Sequence, residues 1–157
     1  MNELQKGFMR KAIELSRESI SNGGGPFGAV IVKEGKIISS TSNSVTIDKD
    51  PTAHAEINAI RAACKAIDSN ELIGCEIYSS CEPCPMCLGA IYWSRIDKLY
   101  FANTKKDAAN IGFDDSFIYE EIEKPIEHRS IKTIQFLGDE AIIAFQEWDE
   151  KLDKTEY

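Results

Sequence analysis

The 157-residue chain lacks any long apolar run. Its longest, from Phe27 to Val32, falls far short of the roughly 20 residues a membrane helix needs, so no membrane association is expected. The N-terminal stretch carries Glu3, Lys6 and Arg10 and has neither an apolar h-region nor a small-residue cleavage site, which argues against a secretory signal. Basic charge is scarce as well. Eighteen Lys and Arg stand against 26 Asp and Glu, a formal net charge of −8, with a pI near 4.8. Proteins that hold polyanions draw most of their affinity from phosphate contacts. Here the basic residues are scattered and the last third is acidic, so no nucleic-acid partner is expected and a small substrate is favoured. A full disulfide framework is excluded too, because the cysteines number five; a reducing, cytoplasmic setting suits them better. Repeats, low-complexity tracts and linkers are missing, and the length suits one domain, residues 1–157, with a sizeable core.

What is present is chemistry in two short stretches. One is Pro51-Thr52-Ala53-His54-Ala55-Glu56, the other Cys81-Glu82-Pro83-Cys84-Pro85-Met86-Cys87. Zinc takes four ligands in a tetrahedron, and a catalytic site leaves one position for water. His54, Cys84 and Cys87 supply three ligands of suitable softness. Glu56 follows the histidine at a spacing that lets a carboxylate face the open position. Two residues separate the cysteines, as in a turn leading into a helix whose N-terminus helps keep thiolates deprotonated. Each part alone is weak, since a C-x-x-C also serves structural zinc knuckles and redox pairs. A closed structural site would need a fourth ligand, for which Cys81 is the nearest candidate. Glu56 would then have no task, so Cys81 reads as a strand-end residue and the site as catalytic. H-x-E followed by P-C-x-x-C is the known signature of zinc-dependent nucleobase deaminases.

The rest of the chain supplies a scaffold. Residues 3–21 place Leu4, Phe8, Ala12, Leu15 and Ile20 at roughly helical spacing. Gly23-Gly24-Gly25-Pro26 ends that helix in a turn whose bare backbone would also let a flat ligand approach; no Gly-Lys-Ser/Thr follows, so it is not a phosphate loop. Strands are expected at 27–33, 36–42, 75–79, 96–102 and 131–137, and helices at 54–66, through 88–93 and at 140–151. Asn43 closes the second strand with an amide that offers both a donor and an acceptor. Residues 107–117 read as a polar loop with aromatic residues, and His128 as a surface residue. Strand and helix alternate, which predicts an α/β fold with a mixed sheet between helices.

The chain resembles the cytidine-deaminase-like zinc superfamily and, within it, the bacterial guanine deaminase branch. The zinc motif is common to the superfamily. The branch likeness rests on Gly24-Gly25-Pro26-Phe27-Gly28-Ala29-Val30, Asn43, the run from Ser80 to Trp93, Gly112-Phe113-Asp114-Asp115-Ser116-Phe117 and the terminal Tyr157. The resemblance implies a three-layer α/β/α fold with a five-stranded sheet. It also implies a homodimer whose C-terminal segments are exchanged, so that Tyr157 of one chain closes over the other chain's site. His54, Cys84 and Cys87 would hold one zinc per subunit and Glu56 would shuttle protons. Asn43 and Asp115, in preference to its neighbour Asp114, would hydrogen-bond the purine edge, and Phe27 would stack on its face. The implied reaction is hydrolysis of guanine to xanthine and ammonia in purine salvage. The competing readings are a tRNA adenosine deaminase, which shares the motif, and a structural zinc module without turnover.

Overall fold

The structure is a computed structural model and describes residues 1–156; Tyr157 lies outside the described residues. It comprises two compact units, the first Met1–Asp115 and the second from Ser116 onward.

The first unit opens with α1, Glu3–Ser21, started by a reciprocal capping box in which Asn2 and Gln5 satisfy each other's backbone N–H. Its buried face is Phe8, Ala12, Ser16 and Ser19 rather than the whole predicted stripe; Leu4 and Ile20 are exposed. The small residues explain this. Strand β1, Gly28–Lys33, runs so close beneath the helix that a Cβ on Gly28 would lie 2.7 Å from the Ser16 nitrogen, and closer still to the Ala12 carbonyl. Strand β2, Lys36–Ser42, returns antiparallel to β1. A short helix α2, Val45–Asp48, precedes α3, Ala55–Ile67. Then follow β3, Cys75–Cys81, helix α4, Pro85–Trp93, and β4, Lys98–Asn103.

The sheet order is β2-β1-β3-β4, with β3 antiparallel to β1 and parallel to β4. Alternate residues of a strand face opposite sides, so β1 contributes to two cores. Ala29 and Ile31 pack with Ile77 against Ala55, Ala59 and Ala63 of α3 and Ile91 of α4. Val30 and Val32 pack with Tyr78 against Phe8 and Ala12 of α1. Burial on both faces is the reason β1 reads as an unbroken apolar run. The predicted mixed sheet between helices is therefore the observed architecture. Hydroxyls on β2 tie α3 down, with Ser39 Oγ donating to the Ala59 carbonyl at 2.9 Å and Thr41 Oγ1 to the Ala55 carbonyl at 2.8 Å.

Two expectations need correction. The sheet has four strands among the described residues, not five. Residues 131–137 enter no ladder, and Ile131, Ile134 and Phe136 are exposed. Their β-favouring composition prepares a strand, but a ladder also needs an edge to pair with. Nor is 107–117 a plain loop. Thr104 and Asp107 form a capping box that starts α5, Lys105–Asn110, and the turn after it carries Gly112 at φ +92°. The second unit contains α6, Ser116–Glu123, a 3-10 turn at Ile126–His128, where His128 is exposed, and α7, Gly138–Glu150.

Candidate active site

Two helix starts converge on one point. His54 is the N-cap of α3 and Cys84 the N-cap of α4, both with extended backbone, and neither side chain caps its own helix. Pro85 at the first turn of α4 has no N–H to lose there and fixes the turn that presents Cys87 one residue past Met86. His54 Nδ1 lies 3.5 Å from Cys84 Sγ and 3.5 Å from Cys87 Sγ. All three ligand atoms lie within 4.8 Å of one another. Zinc–nitrogen and zinc–sulfur bonds of about 2.05 and 2.3 Å in a tetrahedron place N and S about 3.6 Å apart. The donor set and its spacing fit zinc.

Electrostatics point the same way. Cys84 is held down to about 4 by the hydrogen bond from Cys87, and by His54 beside it. Cys87, which donates that bond from a buried position, is pushed up. His54 is raised through its hydrogen bond to Cys84. The cluster thus carries a thiolate, with the α3 and α4 N-termini adding partial positive charge. Cys81 stands apart from the ligand set: it ends β3, its thiol lies 3.6 Å from the Thr104 carbonyl, and burial pushes it up to about 11. Three protein ligands leave a fourth position open, the arrangement of a catalytic zinc site.

Glu56, in the first turn of α3, is 5% exposed, and burial raises its carboxyl above the usual range. Its two oxygens have different neighbours. Oε1 accepts from Ser79 Oγ at 2.9 Å, while Oε2 lies 3.5 Å from Cys87 Sγ, at the metal-ligand cluster. Ser79 carries no distinguishing signal in the sequence, where it stands beside a second serine, Ser80, in the strand Cys75–Cys81.

The candidate base-reading residues gather in part. Asn43 is buried, and its Oδ1 accepts from the backbone N–H groups of Gly25 and Val45, each at 3.3 Å. With Oδ1 engaged, the amide offers a ligand its Nδ2 donor rather than both functions. Ser19 Oγ donates to the Asn43 carbonyl at 3.1 Å, and the Asn43 N–H donates to Phe27 at 3.0 Å. The glycine turn has a sharper purpose than a plain stop. A Cβ on Gly24 would fall 2.5 Å from Ser19 Oγ and closer to the Asn43 carbonyl. Phe27, to which the resemblance gives the stacking role, meets Phe113 edge to face, centroids 5.0 Å apart. Asp115 is half-buried and raised by burial and by the nearby Cys84 charge, whereas Asp114 is exposed. Tyr157 lies outside the described residues.

Known proteins match this arrangement. The model of the cytidine and deoxycytidylate deaminase zinc-binding region matches residues 2–103. Guanine deaminase of Bacillus subtilis (strain 168) is 52% identical over 151 residues, covering 96% of this chain and 97% of that protein. The X-ray structure of guanine deaminase from Bacillus subtilis superposes with a TM-score of 0.95 at 51% identity, covering 100% of this chain and 99% of the other. A tRNA-specific adenosine deaminase of Aquifex aeolicus is more distant, at 37% identity over 92% of this chain and 93% of its own. With the zinc-binding region matched across both motifs and the likeness running nearly the full length, the chain belongs to the cytidine and deoxycytidylate deaminase zinc-binding family.

Proposed function

We infer that the protein is a zinc-dependent guanine deaminase, a hydrolase that converts guanine and water to xanthine and ammonia. One observation carries the substrate: the identity to a guanine deaminase is 52% over 96% of the chain, against 37% over 92% for the tRNA-specific adenosine deaminase of Aquifex aeolicus. The more distant tRNA-deaminase relatives share the chemistry, but an anticodon stem would need a basic surface, and the net charge is −8.

His54, Cys84 and Cys87 hold one zinc per subunit. When bound, zinc brings the pKa of a water from about 15.7 to about 7. Glu56 takes the water proton on Oε2 and delivers it to the ring nitrogen beside C2, the carbon under attack. It then takes the second proton, from the hydroxyl now on C2, and passes it to the exocyclic amine, which leaves as ammonia as the C2–N bond breaks and the C2 carbonyl forms. Asn43 Nδ2 donates to the purine edge. Asp115 accepts from its N–H groups, so a base lacking those donors would leave a partly buried acceptor unpaired. Phe27 stacks on the ring face.

The C-terminal segment is exchanged between two subunits, and Tyr157 of one chain covers the site of the other. The exposed apolar side chains of residues 131–137, which enter no ladder within the chain, support this reading. No helix of the described residues is long and apolar enough to cross a membrane, and a cytoplasmic place in purine salvage suits a free-base substrate.

The test is ammonia release by the zinc-loaded protein offered guanine, guanosine, adenine, cytosine and cytidine, with tRNA assayed separately for inosine. Turnover of guanine is expected. Silence on guanine with inosine formed in tRNA would overturn the substrate while keeping the zinc chemistry.

A further inference from the structure

We propose that Ser79 is a positioning residue for the proton shuttle, fixing which oxygen of Glu56 faces the reacting atoms. The inference rests on the deaminase reading above and concerns the half of the carboxylate that the metal-site motifs do not mention. Glu56 comes from the first turn of α3 and Ser79 from the middle of β3, 23 residues later. Ser79 is 1% exposed, and its strand is clamped on both sides, by Ala29 of β1 and Phe101 of β4. A hydroxyl in that position cannot drift with solvent or with a loop. It has a single proton, and that proton goes to Oε1 at 2.9 Å.

The consequence is directional. A free carboxylate turns about its terminal torsion with roughly two-fold symmetry, so its oxygens exchange. With Oε1 tethered to a sheet strand, Oε2 alone remains at the Cys87 side, 3.5 Å from that sulfur. Glu56 then receives and returns protons through one oxygen held at one place. Ser79 touches neither the substrate nor the zinc ligands in this scheme; it acts through Glu56. A misplacement of a reacting group by about 1 Å costs on the order of 100-fold in rate, which sets the scale of the effect.

Ser79→Ala removes the tether, while Ser79→Thr and Ser79→Cys each keep a donor at the same place. Each is purified, loaded with zinc, measured for zinc per chain and thermal midpoint, and assayed with guanine beside the wild type. Ser79→Ala is expected to lower kcat about 10- to 100-fold, with KM within two-fold and one zinc per chain, and whichever donor variant keeps the wild-type midpoint restores most of kcat. A merely structural Ser79 would lower the midpoint and leave kcat per folded, zinc-loaded chain unchanged, which overturns the proposal. So would a loss of kcat matched by a loss of zinc, or a rise in KM alone. If the wild type itself leaves guanine untouched, the substrate reading fails separately, and the same comparison runs on whichever base it deaminates.

Discussion

Replacing Gly24 by Ala tests how the loop after α1 governs substrate reading. The backbone of Gly24 is outside the left-handed region, so Ala meets no φ penalty there; the effect comes from contact alone. The new Cβ would lie 2.5 Å from Ser19 Oγ and closer to the Asn43 carbonyl. An ordinary carbon–oxygen approach is about 3.3 Å, so these groups must yield by about 0.8 Å. They cannot yield independently, because Ser19 Oγ donates to that same carbonyl. The displacement therefore reaches the Asn43 amide proposed to hold the purine. A shift of this size is expected to lower kcat/KM for guanine on the order of 100-fold, or about 2.7 kcal/mol of transition-state stabilisation. Zinc should stay at one per chain, since no metal ligand is touched. Gly23→Ala is the control: φ is +83° with open space around the site, so it should lower stability by about 1–2 kcal/mol and leave kcat/KM intact. A Gly24→Ala protein that keeps kcat/KM within two-fold of wild type would refute the reasoning.

Other perturbations separate the remaining parts. Glu56→Gln should keep zinc, measured by metal analysis, and lose about 100- to 10,000-fold in kcat as the general base disappears; a mild loss would remove Glu56 from the proton path. Chelation should abolish ammonia release and added zinc should restore it, whereas activity that survives verified metal removal would contradict the zinc reading. Phe8→Ala empties the contact with Tyr78, whose ring centroid is 5.4 Å away, and urea unfolding should show a loss of about 3 kcal/mol. Deleting Tyr157 should raise KM for guanine severalfold or stop turnover; unchanged kinetics would dismiss its role as a lid.

How much could be read in advance depended on the range of each interaction. The apolar run of β1 announced a strand, whereas the burial of both its faces, against α1 on one side and α3 and α4 on the other, belongs to the assembled core. Leu4 and Ile20 fitted the helical stripe of α1 yet face solvent, because helical periodicity does not reveal that Gly28, Ala12 and Ser16 draw the helix close along a narrower line. Helix α5 was signalled by Thr104 and Asp107 but hidden by its polar composition, since a short capped helix needs no apolar face. Residues 131–137 show the opposite error: their composition promised a strand, and pairing was left to partners that composition does not name.

The site divides in the same way. The sequence by itself named the three candidate metal ligands and the carboxylate proposed for proton transfer. His54 with Glu56, and Cys84 with Cys87, are neighbours in the chain, and helix geometry sets how each pair projects from its own helix start. Only the tertiary structure decided that His54 Nδ1 and Cys84 Sγ, 30 residues apart, stand 3.5 Å from each other. It alone committed the Asn43 oxygen to Gly25, 18 residues away, and gave Glu56 Oε1 to Ser79. These contacts join separate elements, and the sheet order β2-β1-β3-β4 that brings those elements side by side is a property of the assembled core.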